Sequence, residues 1–281
     1  MLSFTPQAAA AAVAAALLLR DERAAAVAAV GAGALTAAVA RRAITQRQPP
    51  ASGPVLRVLT ANLFVGRAEP AAVIGVVRAV APDVMFAQEL TADKARALGQ
   101  AGLGELLAYS ISDAGSPTSR GNAIYSRLPL AACPSIPEQP WSQPTAMLCL
   151  PGGAAVRLAC VHLHTPKTLS SGMGVNSWRA ELRALQAAAD PGGIPVIMAG
   201  DFNSTLDHAE FRRLLRNGYV DAASQAGNGL VPTWGHKADR RFGLLTIDHI
   251  LTDPRCAVLG TSVHRLPGSD HRAVFARIRL P

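Results

Sequence analysis

The chain predicts an α/β fold, on three observations. Short apolar runs that end in a carboxylate or an amide recur along it, as in VIMAGD (196–201), DVMFAQE (83–89) and LTAN (59–62), and these read as buried strands. Between them lie segments with apolar residues at helical spacing, such as Val73, Val76, Val77 and Val80. Gly and Pro fall between the runs, at Pro82 and at Pro151-Gly152-Gly153, where a helix stop and a hairpin turn are expected.

At 281 residues and 49% apolar content the chain is long enough for one large core or two modest ones. The net charge is +8, with +3 on residues 1–53 and +5 on the rest. A mildly basic body attracts phosphate-bearing substrates or an anionic membrane surface. It lacks the clustered Lys/Arg density of a nucleic-acid binder. The four cysteines (Cys133, Cys149, Cys160 and Cys256) show no zinc spacing and read as small buried hydrophobes in strands.

Residues 8–19 are almost all Ala, Val and Leu, and residues 24–40 are apolar apart from Thr36, with Arg20-Asp21-Glu22-Arg23 between. A span needs about 20 apolar residues. The reading is an Ala-rich membrane anchor of one or two helices over 1–45, against a non-membrane helical extension. No Lys or Arg precedes Arg20, so the charged start of a signal peptide is missing. Residues 46–54, QRQPPASGP, read as a Pro-rich linker, and 55–281 as the globular domain.

Within that domain, strands are expected over 55–63, 83–90, 121–130, 145–150, 155–165, 196–200, 244–253 and 273–281. Helices are expected over 72–80 and 176–189, the second with Trp178, Leu182, Leu185 and Ala189 on one stripe. Asp207 and Glu210 stand three apart, as in a capping box before a helix bearing Phe211, Leu214 and Leu215, with Gly218 as its stop.

The stretch VIMAGDFNST (196–205) organises the candidate site. Alternation along a strand places Asp201 and Asn203 side by side where the strand opens into a loop. A carboxylate beside a carboxamide suits a site that orients a water next to a phosphoryl oxygen. Asn62, Glu89, His162, Asp248 and the Asp270-His271 pair also stand at strand ends or adjoining loops, where ligands of layered α/β folds collect. Each alone has an ordinary explanation as a turn cap, a solvated terminus or a core histidine; together they point to one site. His249 follows Asp248 and faces the other way.

The ordered pieces LTANL, FAQEL, GNAIYSRLPL, ACVHLHTP, MAGDFNST, PTWGH, TIDHIL and SDHRAVF resemble the endonuclease/exonuclease/phosphatase superfamily from about Leu56 to Ile278. The resemblance implies a four-layered αββα sandwich. It implies Glu89 as the main ligand of Mg²⁺ or Mn²⁺, assisted by Asn62, with Asp270 completing the metal shell. It places Asp201 at the nucleophilic water and Asn203 on phosphate. It pairs His271 with Asp248 as a general base, and gives His162 a non-bridging phosphate oxygen or the leaving group. Hard cations favour such oxygen ligands. Asn122, His164 and Trp234 are carried as substrate contacts, with Arg120 and Arg179 as further phosphate candidates.

The chain is most similar to a membrane-anchored bacterial subgroup whose catalytic domain faces outward; that subgroup has three spans where this chain has at most two. The polar loops 111–120 and 166–177 do not resemble a DNA clamp. The expected activity is therefore hydrolysis of a lipid-linked or small phosphate ester by a membrane-held enzyme. A nuclease of the same fold is the alternative, and a non-catalytic binding module a third.

Overall fold

The computed structural model describes residues 4–19, 21–114, 121–136, 141, 143–166, 173–187, 193–235 and 244–281. Two helices lead, α1 (Thr5–Leu18) and α2 (Glu22–Ala40). There follow β1 (Val55–Asn62), α3 (Pro70–Val80), β2 (Val84–Gln88), α4 (Ala92–Gln100), α5 (Leu103–Leu106), β3 (Tyr109–Ser112) and β4 (Ala123–Ser126). The second half runs β5 (Leu130–Cys133), β6 (Thr145–Cys149), β7 (Ala155–His162), α6 (Met173–Ala187), β8 (Val196–Asp201), α7 (Ala209–Arg216), β9 (Val220–Asp221), α8 (Ala222–Gln225), β10 (Asp248–Thr252), β11 (Ala257–Arg265) and β12 (Arg272–Arg279).

The strands form two six-stranded sheets, ordered β11-β12-β1-β2-β4-β3 and β5-β6-β7-β8-β10-β9. Each is built around a parallel pair, β1–β2 and β7–β8, joined through α3 and α6. Alternation decides the layers. Leu56 and Val58 of β1 face the core between the sheets, with Phe86, Leu158, Ile197, Ala199 and Ile250. Leu59 and Ala61 face outward onto Val73, Ile74 and Val77 of α3 and Leu98 of α4. On the second sheet Val161, Met198 and Leu251 meet Trp178 and Leu182 of α6 and Phe211 and Leu214 of α7. The result is the expected αββα sandwich.

Several local expectations change. The run 121–130 is two strands, not one: β4 belongs to the first sheet and β5 to the second, so the chain crosses between sheets at residues 127–129. Asp207 does not cap α7. The cap is His208, and the Asp207 carboxylate instead receives Arg42 at 2.6 Å, an ion pair 165 positions apart that no local pattern encodes. Cys160 and Cys256 are buried, but Cys133 is half-buried, Cys149 is exposed and Cys256 lies in a bend before β11; all four are free thiols. α3 runs from Pro70 to Val80 and is capped by Ala81 in a left-handed conformation, just before Pro82, which cannot continue a helix. Ala189 and Arg120 fall outside the described residues.

The segment before β1 lies along the body. Gln46 N–H donates to Gln225 O, the Gln48 carboxamide accepts from Val258 N–H, and Gly53 N–H donates to Leu280 O. Among the described residues, one N-terminal helical stretch, Glu22–Ala43, is long and apolar enough to cross a membrane, while α1 is shorter. The two helices pack on each other and leave Leu17, Leu18, Val27 and Val30 exposed.

Candidate active site

The site forms where inward-facing positions of the two sheets turn polar. On β1 the inward series Leu56, Val58, Thr60 ends in Asn62; on β7 Leu158 and Cys160 lead to His162; on β8 Ile197 and Ala199 lead to Asp201; on β10 Asp248 shares the face of Ile250. Strand register completes the approach. His162 and Asp201 are Cα partners across β7–β8, and Asp248 and Asp201 across β10–β8. A Cβ at Gly200, whose φ is +153°, would collide with the backbone oxygen of Val161. Glycine is what permits that pairing.

Glu89 reaches the cleft by a different route. Gln88 takes the inward position and bonds Thr60 Oγ1 and Cys160 Sγ. Alternation would send Glu89 outward, but its φ of +54° turns it back. Phe64, Val65 and Asn203 also have positive φ, so four of the five described non-glycine residues of this kind border the cleft. Such conformations cost on the order of 1–3 kcal/mol each and persist where surrounding structure enforces them.

A hydrogen-bond web fixes the carboxylates. Asn62 Nδ2 donates to Glu89 Oε1 and to Asp201 Oδ2, both at 3.0 Å, while its Oδ1 accepts from Phe64 N–H. Val65 N–H donates to Glu89 Oε2 at 2.7 Å. Asn203 does not continue the strand: its N–H donates to Asp201 Oδ1 at 2.8 Å in an Asx turn, and its Nδ2 reaches Leu163 O. His271 Nδ1 meets Asp248 Oδ2 at 2.9 Å, and its Nε2 lies 3.7 Å from Asp201 Oδ2. Trp234 Nε1–H donates to Asp270 Oδ2 at 3.1 Å.

These surroundings set protonation. Burial, then His271 and His164, hold His162 down at about 3, so its imidazole is neutral. Burial pushes Asp201 up to about 7, aided by Asp248 and Glu89 and opposed by His271. Burial also raises Glu89 against the bonds from Asn62 and Val65. For His271, burial acts downward but is outweighed by Asp248, Asp201 and Asp270, which hold the imidazolium up to about 10.

The cleft could hold a cation. Ligand atoms of Glu89, His162 and Asp201 lie within 4.8 Å of one another, whereas protonated His271 beside Asp201 and Asp248 offers no free nitrogen. Asp270 Oδ1 is buried and accepts no hydrogen bond. Four carboxylates gathered around one imidazolium leave excess negative charge that a divalent ion would neutralise.

The cleft has a volume of about 470 Å³; Glu89, His162, Asp201, Asn203, Asp270, His271 and Trp234 are all among its lining. Asn62 and Asp248 are buried directly beneath. Asn122 is buried just before β4 and does not line the cleft. His164 stands one step back. Its Nδ1 pairs with Glu181, and its ring stacks on Trp141, which in turn lies against His162. His249 faces away, as expected, and bonds Asp221 and Ser204 O. Arg179 is exposed on α6 and outside the cleft.

Four wall residues carry no sequence signal of their role: Phe4, Phe64, Trp141 and His208. His208 sits inside a helix start that carries no sign of a cleft, and Trp141 and Phe4 belong to no periodic pattern.

The Endonuclease/Exonuclease/phosphatase family profile matches residues 59–271. Among solved structures, an endonuclease/exonuclease/phosphatase from Beutenbergia cavernae is 21% identical with a TM-score of 0.63, over 80% of this chain and 72% of that one. An AP endonuclease from Archaeoglobus fulgidus is 17% identical, TM-score 0.62, over 79% and 98%. D. rerio TDP2 complexed with single strand DNA product is 19% identical, TM-score 0.60, over 80% and 98%. No curated protein matches the chain.

Proposed function

Because the chain belongs to the endonuclease/exonuclease/phosphatase family, whose enzymes use divalent metals and hydrolyse phosphoester bonds, we propose that it is an Mg²⁺- or Mn²⁺-dependent phosphoesterase acting on a lipid-linked or small phosphorylated substrate. The observation that carries this reading is the convergence of Asn62, Glu89, His162, Asp201, Asp248 and His271, spread over two hundred positions, on one cleft.

Glu89, with Asp270 and oriented by Asn62, would hold a divalent cation, which would supply charge neutralisation at the phosphoryl group. Asp201, raised towards neutrality, accepts the proton of the attacking water; a base poised near the working pH is the efficient one. His271 stays protonated and stabilises charge that develops on the phosphoryl oxygens, so its role shifts from base to cationic donor. Asp248 holds the imidazolium in place and balances its charge. Neutral His162 offers an N–H to a non-bridging or leaving oxygen, and Asn203 and Trp234 flank the phosphate.

The lipid-linked half of the reading draws support from the N-terminal helices. Phe4, at the start of α1, is part of the cleft wall, and Gln7 Nε2–H donates to Leu244 O beside it. At the far end of α2, Arg42 pairs with Asp207 on the loop that follows Asn203. A membrane anchor made of these helices would open the cleft at the level of the lipid head groups, with the catalytic domain extracellular as in the subgroup. The nuclease alternative draws on the AP endonuclease and TDP2 neighbours, whose likeness at this identity is one of fold.

The test uses the full chain in detergent micelles and in vesicles. Turnover of bis(4-nitrophenyl) phosphate, 4-nitrophenyl phosphate, a phosphorylated lipid and plasmid DNA is measured with Mg²⁺ and with chelator. The proposal expects metal-dependent turnover with the lipid phosphate ahead of plasmid. Plasmid nicking far above lipid cleavage reverses the ranking, and no turnover of any substrate removes the activity.

A further inference from the structure

A second cavity opens beside the catalytic cleft and shares Phe64, Asp270 and His271 with it. Its volume is about 860 Å³, and three arginines line it: Arg67 from the loop after β1, and Arg265 and Arg272 from the ends of β11 and β12. Arg265 and Arg272 are Cα partners across the antiparallel pair. Like charges directly opposite on a sheet are destabilising. Arg67 packs its guanidinium 4.8 Å over the Phe64 ring, which fixes it at the boundary between the two cavities.

Two carboxylates, Glu69 and Asp270, also line the space. Among the described residues, neither Arg67 nor Arg265 forms an ion pair within 4.0 Å, so no direct partner neutralises their charge. Arginine clusters of this kind recognise phosphate through forked, charge-assisted hydrogen bonds. The catalytic cleft, rich in carboxylates, receives the scissile phosphoryl group; the adjoining cavity has the opposite sign.

We infer that the Arg67–Arg265–Arg272 cavity is a subsite for a second phosphate group of the substrate, one unit removed from the phosphate that reacts. This deepens the phosphoesterase reading and rests on it: the substrate class becomes a diphosphate, or an ester carrying a second phosphate, rather than an isolated monoester. Three arginines around one cavity favour a discrete anion over an extended nucleic-acid track, which requires a row of phosphate contacts along the surface.

The experiment is titration calorimetry of the full chain in detergent micelles at fixed free Mg²⁺, with inorganic pyrophosphate and, separately, inorganic phosphate. Because it reads binding, it is independent of turnover; hydrolysis of bis(4-nitrophenyl) phosphate in parallel reports on the catalytic reading itself. The wild type should bind pyrophosphate at least about tenfold tighter than phosphate, as one or two charge-assisted hydrogen bonds supply. The Arg67→Ala/Arg265→Ala variant should lose that preference while its phosphate affinity is retained. Arg→Lys at both positions should keep part of it, which a merely structural role would not predict. A wild type without preference for pyrophosphate, or an alanine variant that keeps it, overturns the subsite. So does plasmid nicking that collapses in the variant while the pyrophosphate preference stands, since that outcome assigns the arginines to a nucleic-acid track.

Discussion

The Nε2 of His271 stands 3.7 Å from Oδ2 of Asp201, and the two groups are displaced upward together, the carboxyl to about 7 and the imidazolium to about 10. An acid that ionises near neutrality and a cation that persists above it define a window of activity. Turnover should rise as pH passes about 7, where Asp201 loses its proton, and fall as pH approaches about 10, where His271 loses its own. The His271 charge is one of the influences that lower Asp201, so His271→Gln should move the rising limb to higher pH as well as slow turnover by about 10²–10⁴-fold. The pH dependence of kcat/KM in both proteins checks this. A rising limb that stays in place in the variant means the two groups are not coupled.

Much of this site could be read from strand periodicity, and the reason is specific. Asn62, His162, Asp201 and Asp248 each share the inward face of strands whose other inward residues build the inter-sheet core, so a period of two places them on one side. Glu89 does not obey that period; its motif marked it, but the left-handed turn that brings it inward is enforced by neighbours far along the chain. Phe4 and the Arg42–Asp207 pair were illegible for the same reason, being contacts between segments with no shared local pattern. β11 carries little sequence signal because it is an edge strand interrupted by a bulge between Val258 and Gly260, with mostly half-exposed residues that alternate weakly.

Metal binding should stabilise the fold through Glu89. A ligand at 100 times its Kd adds about 2.7 kcal/mol to the folded state. Saturating Mg²⁺ or Mn²⁺ should therefore raise the Tm of the wild type by several degrees, and chelator should reverse it. Glu89→Gln keeps the size and the acceptor oxygen but removes the charge, so the metal-induced shift should shrink to a small fraction. Differential scanning calorimetry with a metal titration measures it, and an undiminished shift places the ion elsewhere.

Gly200 offers a test of how the two central strands set the site. A methyl there would be driven into Val161 O, which is backbone and cannot swing aside. Gly200→Ala should destabilise the protein by about 3 kcal/mol or more, or abolish folding, as overpacking combined with an unfavourable φ does. Gly152→Ala is the control. Its φ is +89° but nothing lies within 4 Å, so it should cost only about 1 kcal/mol. Urea denaturation of the two variants separates packing from backbone strain. Equal losses would mean that the β7–β8 approach is not constrained at Gly200.

Two Asp–His pairs in this chain have similar geometry and should behave in opposite ways. Asp248 Oδ2 holds His271 Nδ1 at 2.9 Å in the cleft; Asp221 Oδ1 holds His249 Nδ1 at 2.9 Å behind it, where His249 Nε2 also meets Ser204 O. Asp248→Asn should lower kcat by orders of magnitude, because the imidazolium loses the carboxylate that holds its charge and orientation, with little loss of stability. Asp221→Asn should instead lower stability by about 1–3 kcal/mol, the cost of weakening a buried hydrogen-bonded pair, and leave kcat within a few-fold. Its pH dependence has a definite sign. Burial acts to lower the His249 imidazole, but Asp221 outweighs it and the group ends above its ordinary value. The stabilisation is therefore complete below about pH 6.5, the unfolded value, and fades as pH rises through the folded one. The stability gap between wild type and Asp221→Asn should be widest near pH 6 and narrow on the alkaline side. Denaturation midpoints across that range decide it: a gap that widens with pH would mean that His249 is neutral in the fold and that Asp221 serves it only as a neutral acceptor.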